Sequence, residues 1–357
     1  MNLNRRDALS LCGGALSTVV LGGVPGWAAG DSRNRTSLGI SIYCFGMRQQ
    51  AEKQRDPRAV LFEPLTFLEH CHGVGAGGIQ VPLGIRDEPY ATKARRQAER
   101  YGMFIEGIIE PPADSSGLER FEAEVRTAAR IGARTLRGVI MPGRRYEYFD
   151  SKEQYLELAT RGRRSLELAE PVLARHRVCL AVENHKDARV PERLELLKQI
   201  SSEWVGACVD VGNSIALLED PLAVVEAYAP WAFSVHLKDH AAREYAEGFL
   251  LADAPLGQGF LDLNRMVAIL RQAKPQLNFT LEVITRDPLK VGCLTDKYWV
   301  TFSDVPGYDL ARTLRMVRGR PAVALPQVTA MPTAERISLE ARNVSDSLAF
   351  AREHLEL

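Results

Sequence analysis

Short apolar runs alternate with longer amphipathic stretches along most of this chain, and four of the runs share a pattern. They are VCLAVE (178–183), VGACVD (205–210), FSVH (233–236) and FTLE (279–282). Counted with period two, the positions in phase with the terminal acid or histidine are small or polar: Cys179 and Ala181, Gly206 and Cys208, Ser234, Thr280. The opposite phase is bulky: Val178, Leu180 and Val182, Val205 and Val209, Phe233 and Val235, Phe279 and Leu281. Side chains alternate across a strand, so each run predicts a strand with large residues against covering helices and small ones in a tight interior. Glu183, Asp210, His236 and Glu282 then emerge at four strand ends.

The rest of the chain repeats this alternation. Strands are predicted at 38–43, 78–81, 104–109 and 135–140, followed by the four that end at Glu183, Asp210, His236 and Glu282. Helices are predicted at 60–72, 90–101, 118–131, 152–174, 191–200, 221–228 and 262–273, with a longer insertion at 238–261. Eight strand–helix units in about 250 residues predict a (β/α)₈ barrel, in the α/β class. After Glu282 the sequence predicts a loop (285–306), a helix (308–318), a proline-containing connector (321–332) and a charged terminal helix (334–356). That terminal helix has three roles open to it: packing beneath the barrel, covering its mouth, or mediating a homodimer.

The amino-terminal 28 residues do not fit the alternation. Arg5 and Arg6 precede a glycine-interrupted, weakly apolar stretch that ends at Gly26-Trp27-Ala28-Ala29, a small-x-small pattern. This resembles a twin-arginine export signal and predicts a periplasmic or exported protein. The stretch is too short and glycine-rich for a stable membrane anchor. The barrel is expected over 36–318, with connector and terminal helix at 319–357. Composition adds exclusions. Lys plus Arg and Asp plus Glu each number 45, so the formal charge is zero and no basic face for nucleic acid is indicated. Six cysteines, one of them in the leader, show no CxxC spacing and no small-domain disulfide framework.

Active sites of (β/α)₈ barrels lie at the C-terminal ends of the strands. Two glutamates, an aspartate and a histidine there form a mixed oxygen and nitrogen set suited to one divalent metal ion: Mn²⁺, Mg²⁺, Co²⁺ or Zn²⁺. Other residues stand at mouth height. Arg144 and Arg145 follow the fourth strand and have the geometry for a carboxylate or phosphate, or are simply solvated. His185 and Lys186 follow Glu183, Lys238 follows His236, and Asn213 lies three residues beyond Asp210. Glu106 in the third strand points inward as a substrate contact or pairs with Arg137.

These segments carry a resemblance. AVENHKD around Glu183, CVDVGNS around Asp210, SVHLKDH around His236, PLGQGFLDL (255–263), TLEVITRD around Glu282 and the early FLEHCHGVGAGGIQVPL (67–83) are similar to the xylose isomerase-like barrels of sugar-phosphate isomerases and epimerases. The resemblance covers roughly 36–318. It implies one divalent metal held by Glu183, Asp210, His236 and Glu282, a carbohydrate substrate, and proton exchange by Glu183 and Glu282 through a stabilised enediolate. The expected activity is therefore a metal-dependent isomerase or epimerase of a keto-sugar derivative. There is a departure: such epimerases commonly carry histidine where this chain has Asn213, and an amide cannot exchange protons at neutral pH. That departure and the two arginines keep a lyase in view, a decarboxylase or eliminase of a 3-oxo sugar acid or 3-oxo glycoside. The ENHKD and CLTDKYW segments resemble a subgroup that includes such a decarboxylase. A non-catalytic sugar-binding barrel is a further reading. A DNA-repair endonuclease on the same barrel is disfavoured, because a three-zinc site needs more histidine than the seven present and a basic face.

Overall fold

The computed structural model describes residues 35–59, 63–141, 143–319 and 325–357; the leader expected at 1–28 lies outside the described residues. Eight strands close into a parallel barrel: β1 (Gly39–Ser41), β2 (Gly78–Pro82), β3 (Phe104–Ile108), β4 (Thr135–Gly138), β5 (Cys179–Glu183), β6 (Val205–Asp210), β7 (Ala232–Leu237) and, after two further strands, β10 (Phe279–Leu281). The ring closes where β1 pairs with β10, Gly39 opposite Thr280 and Ile40 opposite Leu281. The period-two pattern is realised as expected: Val178, Leu180, Val182, Val209 and Phe279 are buried in the core beneath the helices. Helices Glu88–Tyr101, Leu118–Ile131, Lys152–His176, Val190–Ile200, Pro221–Tyr228 and Leu263–Ala273 follow the predicted order. Leu118–Ile131 ends where the sequence places its turn, at Gly132 in the left-handed region with φ 91°.

Three features differ from the expectation. A polar helix, Gly46–Arg55, follows β1; only Ala51 of it is buried, so it has no apolar stripe for a sequence reading to detect. The insertion and the loop after Glu282 combine into a three-stranded antiparallel sheet of β8 (Asp239–Tyr245), β9 (Gly248–Ala254) and β11 (Leu289–Val291). This sheet has its own small core, in which Phe249, Leu251 and Val291 meet Tyr298, Phe302, Leu314 and Val317. Helix Gly307–Arg318 contributes the last two, so it serves this sheet. The flank beside the β1–β10 seam is covered by the terminal helix, Thr333–His354, whose Val344, Leu348 and Ala351 join the main barrel core together with Leu355 just beyond it. Among the described residues no helix is long and apolar enough to cross a membrane.

The terminal helix is also tied by polar contacts. Ser347 Oγ accepts from Leu256 N at 3.2 Å, and Asn343 Nδ2 donates to Thr285 Oγ1 at 2.9 Å. Glu340 accepts from Met47 N at 2.6 Å and Arg48 N at 3.1 Å, at the start of helix Gly46–Arg55. Burial pushes the Glu340 carboxyl up to about 7, against those two N–H groups and the charge of Arg48. In the unfolded chain the same acid ionises near pH 4.5, so the unfolded state loses its proton first as pH rises. The contribution of Glu340 to stability is therefore greatest below pH 4.5, falls up to about pH 7 and is level above that. Urea unfolding at pH 5 and pH 7.5 is expected to show that Glu340→Gln removes about 1–3 kcal/mol of the wild-type decline, taking about 1.4 kcal/mol per pH unit as the ceiling. A decline of equal size in both proteins would refute this.

Candidate metal centre and active site

Glu183 and Asp210 are the last residues of β5 and β6, and His236 is the penultimate residue of β7. Glu282 follows β10, its N–H bonded to Leu237 O at 3.0 Å. Register sets them side by side: Asp210 is opposite His236, His236 opposite Thr280, and Glu183 opposite Cys208. One ligand atom from each of the four lies within 4.8 Å of all the others. His236 Nδ1 is 3.4 Å from Glu282 Oε1, 3.5 Å from Glu183 Oε2 and 3.9 Å from Asp210 Oδ2. His236 Nδ1 has no hydrogen-bond partner, and the one group on Asp210 Oδ2 is the Lys238 ammonium at 2.7 Å. Glu183, Asp210 and His236 are wholly buried and Glu282 is 3% exposed. Three carboxylates and an imidazole nitrogen converging on one point, with the buried imidazole nitrogen lacking a hydrogen-bond partner, is a donor set that a divalent ion fits.

A ring of cations and amides surrounds the four. Arg137, on β4, donates from Nε to Glu183 Oε2 at 2.5 Å and contacts the same oxygen through Nη2. Burial opposes the charge of Glu183, but Arg137 and then His236 outweigh it and hold the carboxyl far below the ordinary range. Lys238 Nζ lies 2.7 Å from both Asp210 Oδ2 and Glu282 Oε2. Burial likewise opposes the charge of Glu282, and His236 and Lys238 overcome it, so its carboxyl is also lowered. Asn213 is the hub. Its amide donates to Glu183 Oε1 at 3.1 Å, its carbonyl accepts from Lys186 and, at 3.4 Å, from Lys238, and its N–H bonds to Asp210 Oδ1 at 2.7 Å. Lys186 holds a left-handed backbone, φ 63°, and burial followed by the charge of Lys238 brings its ammonium down to about 8. His185 presents a buried Nδ1 without a partner, and burial lowers its pKa.

The structure thus brings Asn213 and Lys238 into contact with the candidate ligands, sets Lys186 behind them on Asn213, and places His185 close enough to feel the charge of Glu183. The other sequence candidates are placed differently. Arg145 is buried and engaged: Nε and Nη2 hold the Thr301 side chain and carbonyl, Nη1 holds Glu192, and the guanidinium lies 3.6 Å from the centre of the Tyr155 ring. It clamps a loop, which corrects the picture of an open loop arginine. Arg144 pairs with Glu147 at 2.5 Å near the surface. Glu106 does point inward, but onto Gln80, Ser234 and Asn278; the alternative pairing with Arg137 is not made, because Arg137 is on Glu183. Reading the sequence for a site missed Gln80, whose Oε1 is 2.7 Å from His236 Nε2, and Asn184, which bonds both the N–H and the carbonyl of Asp210. Arg137 was seen only as a pairing partner. The available signal was polarity: Gln80 and Arg137 each interrupt an otherwise apolar strand at an inward position.

A family model described as Xylose isomerase-like TIM barrel matches residues 68–299. The 3-oxo-isoapionate decarboxylase of Pectobacterium atrosepticum is 29% identical over 114 residues, 31% of this chain and 42% of the decarboxylase. The chain therefore matches less than half the length of that relative. Among solved structures, D-psicose 3-epimerase in the presence of D-fructose superposes with TM-score 0.56 at 14% identity, over 89% of this chain and 98% of the epimerase. A xylose isomerase-like TIM barrel protein from Mycobacterium smegmatis in complex with magnesium gives TM-score 0.51 at 15% identity, over 80% and 100%. Identities this low speak for the fold alone.

Proposed function

Since the chain belongs to the xylose isomerase-like TIM barrel family, we propose that it is a divalent-metal-dependent enzyme of keto-sugar derivatives, and that it works as a lyase on a 3-oxo sugar acid. Glu183, Asp210, His236 and Glu282 would hold the ion, which would supply Lewis acidity at a substrate carbonyl oxygen. Mn²⁺ or Mg²⁺ suits the oxygen-rich set.

The observation that carries the lyase reading is the Arg137 grip on Glu183. An epimerase must remove a proton on one face of the sugar carbon and return it on the other, which calls for two competent bases. Here both glutamates are ion-paired, Glu183 to Arg137 and Glu282 to Lys238, and both are held well below the usual carboxylate range. Cleavage of a 3-oxo acid needs no base: the C–C bond to the carboxylate breaks, CO₂ leaves, and the bonding pair passes into the neighbouring carbonyl. The carbon then takes up a proton, for which the ammonium groups of Lys186 and Lys238 are the nearest buried donors. Charge balance agrees. Glu183 is paired with Arg137, Asp210 and Glu282 share Lys238, and the Lys186 ammonium lies behind them on Asn213, so a divalent ion leaves a buried positive excess that an anionic substrate offsets and a neutral ketose does not. The match to a decarboxylase points the same way.

The test is product analysis of the Mn²⁺-loaded protein on a panel of 3-oxo sugar acids and neutral ketoses. CO₂ release from an oxo acid is expected. Deuterium wash-in at a ketose carbon without cleavage would replace this reading with the isomerase or epimerase. Binding of sugars without turnover of any panel member would favour the non-catalytic barrel. Export of the chain, as the leader would direct, is a separate proposal, tested by cell fractionation of the tagged full-length protein.

A further inference from the structure

A line of buried polar side chains runs from His236 down the barrel interior toward its amino-terminal end, and the reaction has no use for it at the mouth. His236 Nε2 lies 2.7 Å from Gln80 Oε1. Gln80 Nε2 donates to Glu106 Oε2 at 3.1 Å. The same Glu106 oxygen accepts from Ser234 Oγ at 2.6 Å, and Glu106 Oε1 accepts from Asn278 Nδ2 at 3.3 Å. Gln80 and Ser234 are wholly buried and Glu106 is 1% exposed. The arrangement is built by register: Gln80 and Glu106 are paired partners on β2 and β3, and Ser234 shares the inward face of β7 with His236, two residues on.

We propose that Gln80 and Glu106 are positioning residues that set the tautomer of His236 and aim its Nδ1 lone pair at the metal centre. This rests on the reading of Glu183, Asp210, His236 and Glu282 as metal ligands. Three donors converge on Glu106, so it acts as an acceptor and the amide NH₂ of Gln80 must face it. The Gln80 oxygen is thereby turned to His236, whose Nε2 must carry the hydrogen. With an ion bound among the carboxylates, the lone pair is left on Nδ1, which faces all three at 3.4–3.9 Å and has no hydrogen-bond partner. Partners of this kind hold a metal-ligating ring in place, and their loss weakens metal binding by about 10–100-fold. An apolar residue at position 80 would leave Nε2 without an acceptor and free the ring to change tautomer or rotate.

The test uses the full chain. Mn²⁺ affinity is measured by calorimetry for the unaltered protein, Gln80→Met and Glu106→Gln, with thermal unfolding as a check on folding. Histidine ¹⁵N spectra of the diamagnetic Zn²⁺-loaded forms report the tautomer independently of activity. The expected result is an Nε2-protonated His236 in the unaltered protein and a loss of Mn²⁺ affinity of about 10–100-fold in Gln80→Met without loss of folding. Glu106→Gln, which still offers an oxygen to the Gln80 amide, is expected to retain most of the affinity. Equal Mn²⁺ affinity in Gln80→Met, or an Nδ1-protonated His236 in the Zn²⁺-loaded unaltered protein, overturns the positioning role alone. Failure of the unaltered protein to bind either metal overturns the metal reading, and this role with it.

Discussion

Deleting residues 333–357 is expected to leave a chain without a cooperative unfolding transition. The helix that this removes looks, in sequence, like an appendage beyond the barrel. In the structure, Val344, Leu348, Ala351 and Leu355 are no more than 4% exposed and sit in the main core. Burial of a Val or Leu side chain contributes about 1.5–3 kcal/mol, so the three larger residues together stabilise by about 5–9 kcal/mol. Domain stabilities are about 5–15 kcal/mol in all, so the deletion consumes most or all of the margin. The Glu340 bonds to Met47 and Arg48 and the Ser347 bond to Leu256 disappear with it. A milder variant keeps the test quantitative: Leu348→Ala is expected to cost about 2–5 kcal/mol by urea unfolding, as core truncations of this kind do. A truncated chain that unfolds at the wild-type urea midpoint would show the helix to be dispensable.

Asp210→Asn is expected to abolish turnover while the barrel still folds. Asp210 Oδ1 accepts from the N–H of Gly212 and of Asn213, at 3.0 and 2.7 Å, and an amide oxygen can keep both bonds. Oδ2 is different: it faces the centre and is ion-paired with Lys238 Nζ at 2.7 Å. An NH₂ group there would present hydrogens to the ligand cluster and to an ammonium. Metal affinity should fall by about 100-fold or more, given that loss of an outer-shell partner alone costs 10–100-fold. Lys238 also loses one of its two carboxylates; stripping a partner from a buried pair costs about 3–5 kcal/mol, here moderated because Glu282 remains. Calorimetric titration with Mn²⁺ and circular dichroism of the same sample check both halves. Retained affinity would remove Asp210 from the ligand set.

Much of this was legible in the sequence because two rules acted together. Period-two alternation exposed the strands, and the rule that barrel chemistry sits at strand ends singled out Glu183, Asp210, His236 and Glu282, which the structure brings within 4.8 Å of one another. What escaped was set by contacts between distant positions. Lys238 stood only two residues past His236, yet nothing local indicates that it bridges Asp210 and Glu282. Arg137 lies 46 positions from Glu183, and Gln80 lies 156 from His236. Strand β11 is three residues long and shows no alternation of its own; it exists because β9 offers it an edge. Arg145 illustrates the opposite error: a loop position suggests exposure, whereas the Tyr155 and Phe302 rings close around it.

The seam between β1 and β10 has a consequence for the order in which the molecule can assemble. Around Cys44, whose Sγ donates to Leu281 O and accepts from Val283 N, the contacts join residues 237 and 239 positions apart. Seven of the eight strands can stack in sequence order as they leave the ribosome, each against a neighbour already made. The eighth has to find the first, and the helix that covers their junction is made later still. Ring closure is thus the step with the greatest loop entropy, and it comes last. Until then β1 stands as an open edge and Ile40 and Leu281 lack their cover, which makes the nearly complete chain the species most exposed to mispairing and to capture by chaperones.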